Sequence, residues 1–180
     1  WALLATSLIS YDPGDWPAMT LWGHVLWGAA FCKVFGFSFW ILRLSVLVLA
    51  WIGAFLFYRL CSELTARRWW PRTAFLTLVF SPFFFSLSLS FMTDISFLTL
   101  TLGALYFYRR ALLRGGLPDW VLATVLAAAA VLVRQLGLLL PLAFGAALVL
   151  HKRNARSIGL ALAGVLVCAG VWQLFVYWLA

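Results

Sequence analysis

The sequence predicts an all-α fold: a polytopic bundle of about six transmembrane helices, preceded by an N-terminal extracytoplasmic helix lying in the membrane interface. Three observations predict it. Hydrophobic residues fill 66% of the 180 positions and charged residues 10%, with a mean hydropathy of +1.04, so the chain carries more apolar surface than one water-soluble core can hide. Ten of the 13 Lys and Arg residues fall in or beside three short segments: Arg59, Arg67, Arg68 and Arg72; Arg109, Arg110 and Arg114; Lys152, Arg153 and Arg156. Such clusters mark cytoplasmic loops. The stretches between them, 73–108 and 119–150, hold 36 and 32 residues, whereas one crossing takes about 20, so each stretch is expected to cross twice. The same placement answers the net charge of +8: basic residues set between apolar runs serve topology, and the expected partner is the lipid bilayer, with no nucleic acid.

Residues 1–37 are expected to form the extracytoplasmic part of a single membrane domain. Ser10-Tyr11-Asp12-Pro13-Gly14-Asp15-Trp16-Pro17 reads as a polar turn. Ala18 to Phe35 then follows a helical pattern interrupted by Gly23, His24, Gly28 and Lys33, which suits a helix in the interface better than a span. Gly36 can take the positive φ of a C-cap, and Ser38 can cap the next helix. Residues 38–180 hold the spans, expected at about 38–60, 73–90, 94–109, 119–134, 136–150 and 157–179. Several of these are short, so they extend into their loops or lie where the bilayer is locally thinned.

Turns on the far side are supplied by Ser86 to Thr93 and by Arg134 to Gly137, and the linker Arg114-Gly115-Gly116-Leu117-Pro118 separates two helices. Trp40, Trp69, Trp70, Trp120, Trp172 and Trp178 lie near proposed span ends, as interfacial aromatics do, while Trp51 is mid-span and is expected to pack against another helix. Cys32, Cys61 and Cys168 lie far apart without metal-type spacing, so neither a disulfide framework nor a zinc site follows. The chain opens on Trp1 and its last apolar run reaches the final residues, so the expectation is a fragment of a longer chain.

Charge inside hydrocarbon is costly, and two residues outside the basic clusters sit at the far-side turns: Asp94 in Ser90-Phe91-Met92-Thr93-Asp94 and Arg134 in Leu132-Val133-Arg134-Gln135. Such positions point to function. An Arg at this depth can bind a phosphate through two N–H groups and stabilise it as a leaving group. A carboxylate at the same depth can deprotonate a hydroxyl or hold a divalent metal that bridges the phosphate. Lys33, Arg43, His24 and Gln135 can assist.

The order of these features resembles a known family. A turn with acidic residues, then Val34-Phe35-Gly36-Phe37-Ser38, Leu42-Arg43-Leu44, Ser81-Pro82-Phe83, Phe91-Met92-Thr93-Asp94 and Leu132-Val133-Arg134-Gln135-Leu136-Gly137 together resemble polytopic GT-C glycosyltransferases. The closest likeness is to the bacterial branch related to protein O-mannosyltransferases and the aminoarabinose transferase of lipid A. It covers about Asp15 to Pro141, and its specificity comes from the order of short motifs and their agreement with the topology.

The resemblance implies transfer of a hexosyl or pentosyl group from a polyprenyl-phosphate donor to an acceptor outside the cytoplasm, whether glycolipid, glycan or protein, at a bacterial cytoplasmic membrane. It also implies a carboxylate in the first extracytoplasmic loop that activates the acceptor. Asp12 and Asp15 stand at such a position, separated by Pro-Gly where the family has an adjacent acidic pair, and that pair is expected upstream of Trp1. The candidate catalytic residues are therefore Asp94, Asp15 and Asp12. Arg134, Gln135 and Arg43 are the candidate ligands of the donor phosphate, and Asp94 is the candidate ligand of a divalent metal.

Each candidate has a plainer reading. Asp94, or Thr93 in its place, can cap a helix beginning at Ile95. Arg134 can be the salt-bridge partner of Asp94. Asp12 and Asp15 beside Pro13 and Gly14 can be turn formers, and His24 can be a packed, hydrogen-bonded residue. Two other function classes stand beside the transferase. A transporter or lipid-linked sugar flippase would place ionisable groups near the bilayer midplane on broken helices, and a non-catalytic subunit would tolerate loss of both charges.

Overall fold

The computed structural model describes residues 22–67, 69–151 and 155–179, with side chains described for 23–67, 69–150 and 158–177. Among these residues the chain is all-helical, without strands: α1 (Trp22–Phe35), α2 (Phe39–Leu64), α3 (Trp70–Val79), α4 (Pro82–Ser88), α5 (Thr93–Arg114), α6 (Leu117–Val133), a 3-10 turn (Gln135–Leu138), α7 (Leu139–His151) and α8 (Ala155–Leu179).

Local chemistry sets the boundaries. Gly36 ends α1 at φ 83°, a conformation that costs glycine little. Ser38 then caps α2, its side chain accepting a hydrogen bond from the Trp40 N–H at 3.3 Å. Gly115 closes α5 at φ 69°, with its N–H bonded to the Ala111 carbonyl at 2.9 Å. Pro118 follows in the first turn of α6, where its missing N–H costs nothing.

The expected span at 73–90 is two helices. Pro82 offers no N–H to a helix arriving from α3 and disfavours helical backbone at the residue before it. Ser81 accordingly takes φ −65°, ψ 127°, and α4 starts afresh. The following bend is sharper still: α4 and α5 meet at 109°. By length and apolarity, two helices among the described residues can cross a membrane, Phe39–Leu64 and Ile158–Tyr177, and the bent pair Pro82–Ser88 with Thr93–Arg114 makes a third if taken as one span. Leu117–Val133 and Gln135–Leu150 are apolar but shorter; at ~1.5 Å per residue neither exceeds about 26 Å. Length alone thus counts two or three crossings where the sequence led us to expect about six.

α5 and α6 form a tightly packed hairpin at the centre. Ala123, Ala127 and Ala130 of α6 are fully buried, and such small side chains let neighbouring backbones approach. They meet Ala104 and Tyr108 of α5, Phe144 of α7 and Cys168 of α8 in one apolar cluster. Tyr108 stacks on Phe144 with ring centroids 4.2 Å apart. A second cluster joins Val46, Leu49 and Ala50 of α2 to Ile95 of α5, with Trp27, Phe84 and Leu87 against it. There the Thr99 hydroxyl donates to the Leu49 carbonyl at 2.9 Å. Trp51 departs from expectation: it is 62% exposed and lines a shallow apolar cleft with Phe84 and Phe85.

The Gly115 end of the hairpin gathers the basic residues. Arg109 pairs with Glu63 at the end of α2, 2.7 Å to the carboxylate and 2.8 Å to the carbonyl. Arg110 lies 3.5 Å from Asp119. Both acidic residues described at this end are therefore matched by Arg.

Candidate functional site

α5 runs 22 residues, about 33 Å at ~1.5 Å per residue, close to the thickness of a bilayer's hydrocarbon. The basic end and the opposite end are therefore a membrane's width apart. At the opposite end the hairpin brings the first turn of α5 beside the last residue of α6. Arg134 leaves the α6 helix in extended geometry, φ −150°, ψ 137°, which turns its side chain across to α5. Its guanidinium Nη2 donates to Asp94 Oδ1 at 2.5 Å and to Thr93 Oγ1 at 3.3 Å, and its Cζ lies 5.8 Å from the Phe97 ring centre. The Asp94 carboxylate also occupies the first turn of α5, where the helix dipole favours a negative charge.

The salt-bridge reading of Arg134 is thus correct, and the capping reading of Asp94 is not. α5 begins at Thr93, two residues before the expected Ile95, with Met92 as N-cap and no side-chain cap bond. Thr93 Oγ1 and Asp94 Oδ1 both accept from Arg134 instead. Each side chain of the pair is 37% exposed, so a ligand can reach either group.

Asp94 sits at one end of a cleft of about 370 Å³ between α5 and the α3–α4 segment. Its wall on α5 is the stripe Asp94, Phe97, Leu98 and Thr101, one helical face by spacing; Leu78, Phe83 and Leu87 form the facing wall. The surface is otherwise apolar except for Ser81 and Thr101, whose buried hydroxyl oxygen has no hydrogen-bond partner. A carboxylate–guanidinium pair beside an apolar trough can hold a molecule with a charged head and a hydrocarbon tail.

α1 lies across this end. His24 is 3% exposed, its Nδ1 stands 2.7 Å from Ser96 Oγ, and its ring lies 4.1 Å from that of Phe91. The packed, hydrogen-bonded reading of His24 is therefore correct. Burial pushes its pKa down to about 4 from 6.5. Below pH 6.5 the unfolded chain takes up a proton here that the folded chain refuses until about pH 4, so the stabilisation is complete above pH 6.5 and is lost as pH falls through that window. The drop corresponds to at most ~3.5 kcal/mol at about 1.4 kcal/mol per pH unit. In detergent, the apparent Tm should therefore fall between pH 6.5 and 4.5, and His24→Asn should remove part of that fall; an unchanged fall would assign it to the carboxylates alone.

The other candidates are not brought to the pair. Arg43 is exposed and stacks over Trp40 at 5.7 Å, with no hydrogen bond or ion pair to Asp94 or Arg134. Gln135 adjoins Arg134 in the chain but is exposed at the start of the 3-10 turn, and Lys33 is exposed in the last turn of α1. Asp12 and Asp15 lie outside the described residues. No group of three or more His, Cys, Asp or Glu side chains among the described residues is placed to hold a metal ion, and Asp94 faces a guanidinium, which disfavours a cation beside it. Sequence reasoning missed Phe97 and Thr101 as site walls and Ser96 as the His24 partner. The first two were detectable, since they follow Asp94 at helical spacing; Ser96 carried no signal, because its partner is 72 residues away.

The chain matches the model of the family described as dolichyl-phosphate-mannose-protein mannosyltransferase over residues 17–178. Asp94 and Arg134 fall inside the matched stretch, and Asp12 and Asp15 precede it. No curated protein matches the chain, and no solved structure does.

Proposed function

The chain belongs to the dolichyl-phosphate-mannose-protein mannosyltransferase family, and from that premise we infer that it is an integral membrane glycosyltransferase acting on a polyprenyl-phosphate-linked sugar. The observation that carries this reading to particular residues is the accessible Asp94–Arg134 pair, whose Asp94 lines the end of the apolar cleft. The polyprenyl tail lies along the Phe97–Leu98 wall and the phosphate reaches Arg134. A carboxylate takes the proton of the acceptor hydroxyl, whose oxygen bonds to the anomeric carbon. The bond from that carbon to the phosphate oxygen breaks, and polyprenyl phosphate leaves with the electron pair. Arg134 stabilises the charge that gathers on the departing phosphate.

Asp94 is our proposed base, with Asp15 and Asp12 as the other carboxylates of the reaction. The site faces the extracytoplasmic side, a reading supported by the basic residues at the far end of α5. α1 is the interfacial helix over that site. α2, α5 and α8 are spans, the α3–α4 segment carries the chain back across between α2 and α5, and α6 and the α7 segment cross where the protein thins the bilayer. The acceptor is a glycolipid, glycan or protein of a bacterial cell envelope.

The test is transfer of radiolabelled sugar from a polyprenyl-phosphate donor pool in membranes carrying the protein; no transfer from any donor would sink the reading. Arg134 offers a sharper arm. Losing one charge-assisted contact is worth ~1.5–3 kcal/mol, so Arg134→Gln should lower kcat/KM for the donor about 10- to 100-fold. Arg134→Lys should recover only part of it, since an ammonium cannot contact phosphate through a planar fork. Equal activity in all three would remove Arg134 from the site.

One observation favours a second reading. A short helix bent by 109° from its neighbour, next to an ion pair, is also the geometry of a broken transporter helix. Uptake of a lipid-linked sugar into vesicles without transfer would select it.

A further inference from the structure

We propose that His24 is a positioning residue of this site: through Ser96 it fixes the first turn of α5, and thereby the meeting of Asp94 with Arg134. The proposal rests on the reading of that pair as the transfer site. His24 and Ser96 are both 3% exposed and lie 2.7 Å apart, 72 residues distant in the chain. The His24 ring also packs on Phe91. Phe91 precedes Asp94 by three residues and Ser96 follows it by two, so one imidazole grips the chain on both sides of the carboxylate.

The neighbouring residue does the same for the other partner. A Cβ added at Gly23 would stand 2.9 Å from the Val133 side chain, and Val133 immediately precedes Arg134. One turn of α1 therefore touches the segments that carry both halves of the ion pair.

Packing alone does not explain a histidine here. Its Nε2 is buried with no hydrogen-bond partner, a cost that an apolar side chain of the same size would avoid. Nor is direct chemistry its role, because the ring is enclosed and Nδ1 is engaged with Ser96. What the imidazole supplies is the bond to Ser96. Other contacts hold α1 in its absence: the Trp27 indole donates to the Ser45 carbonyl at 3.3 Å, and Gly28 lies close against Phe91 and Leu42. Loss of the bond should therefore loosen the start of α5 without detaching the helix. Small displacements at a reacting centre are expensive in rate.

The experiment uses the wild-type protein in membranes and four variants: His24→Leu, Ser96→Ala, the double variant, and His24→Asn, whose amide nitrogen falls near the Nδ1 position. His24→Leu and Ser96→Ala should each lower kcat about 10-fold with donor KM changed less than about threefold, and the double variant should be no worse than either. His24→Asn should retain most of kcat. An Asn variant as slow as Leu, or single losses that multiply in the double variant, would overturn the proposal. A second readout needs no activity: mass-spectrometric measurement of phenylglyoxal modification at Arg134. Modification should be faster in the Leu and Ala variants than in the wild type and His24→Asn. If the wild type transfers no sugar, the functional reading fails, and the Arg134 rates still decide whether His24 holds the pair; equal rates in all variants would show that it does not.

Discussion

Asp94→Asn should abolish sugar transfer while leaving the protein inserted and folded. Asn keeps the shape of the side chain and an oxygen that can accept from Arg134, and loses only the charge and the ability to take a proton. The structural cost of that loss is small. An ion pair as accessible as this one, 37% exposed on each side, is worth ~1 kcal/mol or less, and a first-turn carboxylate adds ~0.3–1 kcal/mol through the helix dipole. The chemical cost is far larger, because a positioned general base contributes about 10²- to 10⁴-fold. A drop of that size in transfer from labelled polyprenyl-phosphate donor, at matched expression and with Tm lowered by a few degrees at most, is the expected result. Full activity in the variant would reduce Asp94 to a tether for Arg134 and return the base to Asp15 or Asp12.

The helix positions were legible in the sequence because local signals set them. Gly36, Ser38, Gly115 and Pro118 each enforce a boundary by their own backbone chemistry, and the observed ends fall where those residues stand. The break at Ser81-Pro82 was equally local, yet the hydropathy of 73–90 concealed it: an apolar window reports that a segment avoids water and says nothing about whether it is straight. Trp51 shows the complementary limit. A mid-span Trp in a membrane protein has two apolar surroundings to choose from, other helices and lipid, and composition does not separate them.

The site divides in the same way. Asp94 and Arg134 were readable singly, because charge is rare in this chain and each stands apart from the basic loops. Their pairing followed once both were placed at the same end of one hairpin. The α1 contacts were not readable, since Gly23 against Val133 and His24 against Ser96 depend on where a helix lands across elements remote in sequence.

Gly137→Ala should be as damaging as removing the carboxylate, by a different route. Gly137 is buried in the 3-10 turn that follows Arg134, and its N–H bonds back to the Arg134 carbonyl at 2.9 Å. Its φ is not positive, so conformational freedom is not what glycine provides here; the missing side chain is. A Cβ would stand 2.5 Å from the Val131 nitrogen and 2.7 Å from the Ala130 carbonyl carbon. These are backbone atoms in the last turn of α6, and they cannot swing aside as a side-chain tip would. The turn must therefore open, and Arg134, which begins it, must move with it. Overpacking of this kind typically costs ~1–3 kcal/mol, so the variant should fold with a lowered Tm, lose donor-dependent transfer, and expose Arg134 to phenylglyoxal. Leu136→Ala is the control, since that side chain is 59% exposed and should change stability by less than about 0.5 kcal/mol. Wild-type transfer in Gly137→Ala would mean that the placement of Arg134 does not limit the reaction, and the phosphate would then have to be held by other cations.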